Sequence, residues 1–216
     1  MINLVGQNIV LVAQNLNPTI FSQLWLVRNK VFQEDDFNGQ NFIFTPAAVN
    51  IDTADLNFLV MPERLQVAMK SDDMSKATTK LETTVSSLPH TPYRAVGFNF
   101  DWASEPRDAA KYGKDVRNMF LADGNPLRSF FSPEDARFGS YMSVNKFDMR
   151  LKLDIKPSIV IKNDKPIEVL LMNFNYHKDI DQADPAKDII KSLRNLQMAR
   201  EFTVQLAKEI ESGWTQ

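Results

Sequence analysis

The stretch VLLMNFNYHK, Val169–Lys178, decides how this chain is to be folded. Its even positions, Leu170, Met172, Phe174 and Tyr176, are apolar throughout. Its odd positions begin with Val169 and Leu171, then turn polar at Asn173, Asn175 and His177. Successive side chains of a strand point to opposite faces. The spacing therefore predicts a strand with one dry face and one that becomes wet toward its end.

Neighbouring segments repeat that alternation. In Asn145–Lys156, Phe147, Met149, Leu151, Leu153 and Ile155 oppose Lys146, Asp148, Arg150, Lys152, Asp154 and Lys156. In Tyr93–Trp102, Val96, Phe98, Phe100 and Trp102 oppose Gly97, Asn99 and Asp101. The segment Asp55–Lys70 reads as a hairpin turning at Pro62-Glu63, with Leu65, Val67 and Met69 facing inward and Arg64, Gln66 and Lys70 outward. A slip of one residue would drive Lys and Asp into the core, where an unpaired charge is costly. The register of such strands is therefore strongly specified. The expected wet face carries Arg64, Lys70, Lys146, Arg150, Lys152 and Lys156 beside Asn173, Asn175 and His177, and is locally basic.

Helical spacing separates these strands. Asn17-Pro18 opens a helix through Ile20, Phe21, Leu24, Trp25, Val31 and Phe32, with Asn17 as cap and Pro18 at the first helical position. Met74, Ala77, Leu81, Val85 and Leu88 line a second helix, stopped by Pro89. Ser104 and Pro106 open a third through Ala109, Tyr112, Val116, Met119 and Phe120. Asp184-Pro185 caps a long last helix from Ile189 to Ile210. The expectation is an α+β domain spanning 1–216, in which pseudo-repeated strand-helix-strands-helix halves, 1–90 and 91–216, share one antiparallel sheet with helices on one face. This element order is similar to that of the duplicated TATA-box-binding-protein-like folds. The likeness rests on order alone and assigns no residue a role.

Composition narrows the functional classes. The chain has 216 residues, 44% of them hydrophobic, and a net charge of −2, so no whole-protein field draws in polyanions. It has no cysteine, which removes disulfide, thiolate and cysteine–metal chemistry. The first residues, MINLVGQNIVLVAQNLNP, read as a strand and not as a signal peptide. No apolar run reaches the ~18 residues of a membrane helix. The expected setting is soluble and cytoplasmic, without a membrane.

Four groups are candidates for function. The outward residues of the sheet form a platform for a protein partner or, through their basic members, for a nucleic-acid backbone; the face lacks the aromatic residues that stack single-stranded bases. Phe130 and Phe131, within the irregular segment Ala122–Tyr141, are candidate anchors for a partner or a second copy. His177, Asp179 and Asp181 are donors that a divalent metal would accept. The acidic pairs in Glu34–Asp36 and Asp72-Asp73 read as loop solvation and helix capping. No nucleophile-elbow, zinc-protease, P-loop or dinucleotide motif occurs, and the chain holds only 7 glycines, too few to suggest phosphate-cradling loops. The expected function is a non-enzymatic interaction protein without a cofactor, working in an assembly. Nucleic-acid binding is the alternative, and a metal-dependent enzyme using the His177–Asp184 cluster the third.

Overall fold

The structure is a computed structural model that describes residues 2–38, 41–108, 110–131, 136–162 and 164–214. Its strands are β1 (Ile2–Ala13), β2 (Asn41–Phe44), β3 (Val49–Asp52), β4 (Leu56–Met61), β5 (Arg64–Met69), β6 (Tyr93–Ser104), β7 (Ser140–Lys146), β8 (Met149–Lys162) and β9 (Lys165–Asp179). They form one nine-stranded sheet in the order β2-β3-β4-β5-β1-β6-β9-β8-β7. Every neighbouring pair is antiparallel. The helices are α1 (Gln23–Arg28), α2 (Ser75–Ser87), α3 (Tyr112–Phe120), α4 (Leu127–Phe130), α5 (Pro185–Leu193) and α6 (Leu196–Trp214). The fold is thus α+β, with one large antiparallel sheet.

The alternation in VLLMNFNYHK sets the centre of the molecule. Phe98, Phe100, Met172, Phe174 and Tyr176 are at most 1% exposed and belong to one contiguous apolar core. Helix α6 closes that core. The Tyr176 hydroxyl donates to the Ala199 carbonyl at 3.3 Å, and the Trp102 indole N–H donates to the Thr203 hydroxyl at 3.2 Å. At the other end, the Phe58 ring of β4 meets Phe21 and Phe32, which flank α1, at 6.4 and 5.4 Å. Met74, Ala77, Leu81 and Val85 are buried as the α2 spacing requires.

Several expected boundaries move. The first helix divides: Asn17 caps a short 3₁₀ turn, Pro18–Ile20, and Ser22 then caps α1. Two successive caps re-aim the chain, so Phe21 is buried while Leu24 stays 78% exposed. The third helix does not open at Ser104, which instead ends β6, paired with Ile2 and Leu170; α3 begins at Tyr112, and Ala109 lies outside the described residues. The last helix divides at Arg194-Asn195, where the Asn195 amide donates to the Phe147 carbonyl at 2.9 Å and ties the break to the sheet. Asp184 caps α5 as expected, accepting from the Lys187 N–H at 3.2 Å.

One correction bears on the wet face. Asn145–Lys156 is not one strand. Phe147 and Asp148 adopt φ of 56° and 59°, making a tight turn between β7 and β8. The turn uncouples the parity of Lys146 from that of Arg150. Lys146 pairs with Met149 and lies on the helix side, its ammonium 4.1 Å from the Phe202 ring centroid. Asp148 leaves the wet face as well and bonds Lys178 at 2.9 Å.

Candidate open sheet face

The face opposite the helices is built row by row from strand register. Asn8, Asn99, Asn175, Lys152 and Ser143 stand in one row across β1, β6, β9, β8 and β7. Val10, Gly97, His177, Arg150 and Asn145 form the next. Asp101, Asn173, Asp154 and Tyr141 form a third, so an exposed aromatic ring does stand on this face, contrary to the expectation from alternation. The register thus brings Asn173, Asn175 and His177 together with Arg150 and Lys152. Arg64 and Gln66 lie on the same face across β1, opposite Val12 and Val10.

The central polar residues are tied to one another. The Asn99 amide donates to the Asn8 side-chain oxygen at 2.8 Å, and the Asn175 amide donates to that of Asn99 at 2.6 Å. Asn173 donates to the Asp101 carboxylate at 2.6 Å. These part-buried groups satisfy each other across strands, so the floor of the face is held in one arrangement. Sequence parity placed Asn99, Asn173 and Asn175 here; the contribution of Asn8 depends on the pairing of β1 with β6, which no local signal announces.

The charges are more balanced than alternation implied. Lys70 bonds Asp52 at 2.7 Å, and Lys156 bonds Asp154 at 2.7 Å. Hydrogen bonds from Lys70 and Asn57 hold the Asp52 carboxyl below its usual range. Arg150 donates to the Asn145 side chain at 3.2 Å. Among the described residues no carboxylate is bonded to Arg64, Arg150 or Lys152, which are the cations left for a ligand.

Gly97 stands at the middle of this face, between Val10 and His177. It lies in unbroken register, away from the irregularities at Leu4/Gly6 and Val12/Ala13. A Cβ built on it meets only the Tyr176 carbonyl oxygen at 3.4 Å and the Asn175 amide at 4.0 Å, both ordinary contacts. Neither a bulge, nor a left-handed backbone, nor crowding requires a glycine there. Glycine weakens a strand interior, so the fold alone gives no reason for it.

The remaining candidates are separate from this centre. Phe130 is 78% and Phe131 49% exposed at the end of α4, and Phe131 touches the Phe138 ring at 6.3 Å. The adjoining residues 132–135 lie outside the described residues. His177 meets Asp179 at 3.2 Å, whereas the Asp181 carboxylate accepts from the Ala183 N–H at 2.9 Å in its own loop. Among the described residues no group of three His, Asp or Glu side chains is placed to hold a metal. His90 is exposed. Of the acidic pairs, Asp73 accepts from Ser75 N–H at the start of α2, and Asp36 bonds Lys80 at 3.3 Å.

Sequence reasoning missed the far end of the β8–β9 hairpin. There Ile159 and Ile161 are 64% and 70% exposed, past the ends of the neighbouring strands. The signal was the run Ile159-Val160-Ile161, apolar at every position. Among the described residues no helix is long and apolar enough to cross a membrane. No protein-family model matches the chain, and no curated protein matches it.

Proposed function

We propose that this protein is a non-enzymatic interaction protein that takes its partner on the open face of the sheet, with Phe130 and Phe131 as a second contact. The observation that carries this reading is Gly97. Gly97 is itself buried among its neighbours, but a glycine in regular strand whose added Cβ would make only ordinary contacts, and which no backbone conformation requires, suits a place where another chain approaches the backbone closely. Around it the asparagine network holds the floor rigid, so little ordering entropy is lost on binding. Nucleic acid is the second reading, favoured by Arg64, Arg150 and Lys152, to which no carboxylate among the described residues is bonded.

We also infer that the halves 1–90 and 91–216 are pseudo-repeats of TATA-box-binding-protein-like order within one domain. In support, the strands read outward from the β1–β6 centre as β5-β4-β3-β2 on one side and β9-β8-β7 on the other.

Two variants test the binding reading. Gly97→Val raises a side chain into the centre of the face; Arg150→Glu with Lys152→Glu reverses its charge. The expected result is that proteins captured by the wild type are lost by G97V while circular dichroism shows the fold retained. Nucleic acid as the partner requires binding of a DNA polyanion that weakens steeply with salt and disappears in the charge-reversed variant. Retention of every ligand by both folded variants would overturn the proposal.

A further inference from the structure

The sheet ends at two edges that differ in kind. β2 is only 4 residues long, which is one of the ways an edge strand avoids pairing. β7 has 7 residues, with no proline and no break in its register with β8. Its one charge, Lys146, sits at the end and is folded over Phe202. Tyr141, Met142 and Val144 are 62%, 46% and 52% exposed. Among the described residues none of the usual protections of an edge is present.

The outer hydrogen-bonding groups follow from the turn. In a tight two-residue turn the flanking residues, Lys146 and Met149, bond each other. Val144 and Met142 then also direct their backbone groups at β8, because the direction alternates along a strand. Tyr141, Ser143 and Asn145 therefore direct theirs outward, and among the described residues no loop bonds to them.

We propose that β7 pairs antiparallel with β7 of a second copy of this chain, about a twofold axis at Ser143. This register matches every outward group: Ser143 with Ser143 of the second copy, and Tyr141 with Asn145 in both directions. On the helix side it sets Met142 against Val144, in the closer kind of antiparallel pair, where side chains touch. On the open side it aligns Asp154 and Tyr141 of one copy with Asn145 and Arg150 of the other, so the polar side chains of Tyr141 and Asn145 face each other across the contact. Among the described residues of these rows the two Lys152 side chains are the only like charges brought level; they stand three strand spacings apart, about 14 Å, beyond the ~8 Å screening length. A strand of 7 residues spans roughly 23 Å, so the contact is small and the association reversible. The proposal is independent of what the open face binds.

The chain has no cysteine, so one introduced thiol reports the contact cleanly. At high micromolar concentration the wild type is expected to sediment near twice the 24.7 kDa chain mass. Ser143→Cys is expected to give a covalent dimer on mild oxidation, because its Cα pair falls within disulfide reach; Ser86→Cys, at an exposed position of α2, is the control and gives no covalent dimer. Ser143→Pro removes an outward N–H and no bond to β8, and is expected to be monomeric with an unchanged melting temperature. If that variant does not fold, Met142→Lys with Val144→Lys serves instead, since both side chains are exposed in the single chain. A wild type that is monomeric at every concentration overturns the proposal. So does a dimer that survives these variants, or one that S143C does not cross-link.

Discussion

Lys178 shows how one residue joins distant segments. Its ammonium bonds Asp188 at 2.7 Å and Asp148 at 2.9 Å, with only 16% of the side chain exposed. Burial alone would pull its pKa down, but both carboxylates outweigh that and leave it raised. Burial likewise pushes Asp188 up and is outweighed by the Lys178 bond and the Asp181 N–H, leaving it lowered. The signs define a window. The Asp188 contribution is complete above the unfolded value near 4 and is lost as pH falls through its lower folded pKa; that of Lys178 is complete below about 10 and is lost as pH rises through its higher folded pKa. Asp188→Asn is expected to cost about 1–3 kcal/mol at neutral pH and to flatten the loss of stability in acid, read from urea melts at pH 7 and pH 3. Asn99→Ala is a second case, because Asn99 both donates to Asn8 and accepts from Asn175. Its removal is expected to cost about 1–2 kcal/mol in the same melts; an unchanged midpoint would mean that water replaces it without loss.

At the scale of elements, caps and alternation were legible and continuity was not. Asn17-Pro18 and Asp184-Pro185 start helical segments as read, yet both expected helices divide, at Ser22 and at Asn195. Apolar spacing carries across a short break, so periodicity alone does not detect it. Alternation does not announce the β7–β8 turn, for a related reason. It sets Phe147 and Asp148, rather than a glycine, in left-handed conformation, held by Phe147 against Phe202 at 6.1 Å and by Asp148 on Lys178. Helix α4 offers a direct test. Phe130→Ser is expected to leave the melting temperature unchanged, because the ring is mostly in solvent. Phe131→Ser is expected to lower stability by about 1 kcal/mol through loss of Phe138. The double variant is expected to lose partner capture; equal and large destabilisation by both single changes would place the rings in the core.

For the whole molecule the decisive contact is β1 with β6, paired from Ile2↔Ser104 to Ala13↔Tyr93. A fragment of residues 1–90 would expose that edge and lose the α6 cover of the sheet. It is expected to show no cooperative thermal transition by circular dichroism, and to regain one when mixed with residues 91–216. Cooperative melting of 1–90 alone would mean that each half owns its core. The sequence by itself determined which side chains face inward on β5, β6, β8 and β9, because alternation is a local property and a slip would bury charge. It thereby determined that Asn173, Asn175, His177, Arg150 and Lys152 share a face. Only the tertiary structure decided that Lys146 leaves it, that Asn8 joins it, that Gly97 lies at its centre and that β7 is an edge strand of the sheet. Each of these depends on which strands become neighbours and where the chain turns, and those are fixed by contacts between residues far apart in sequence.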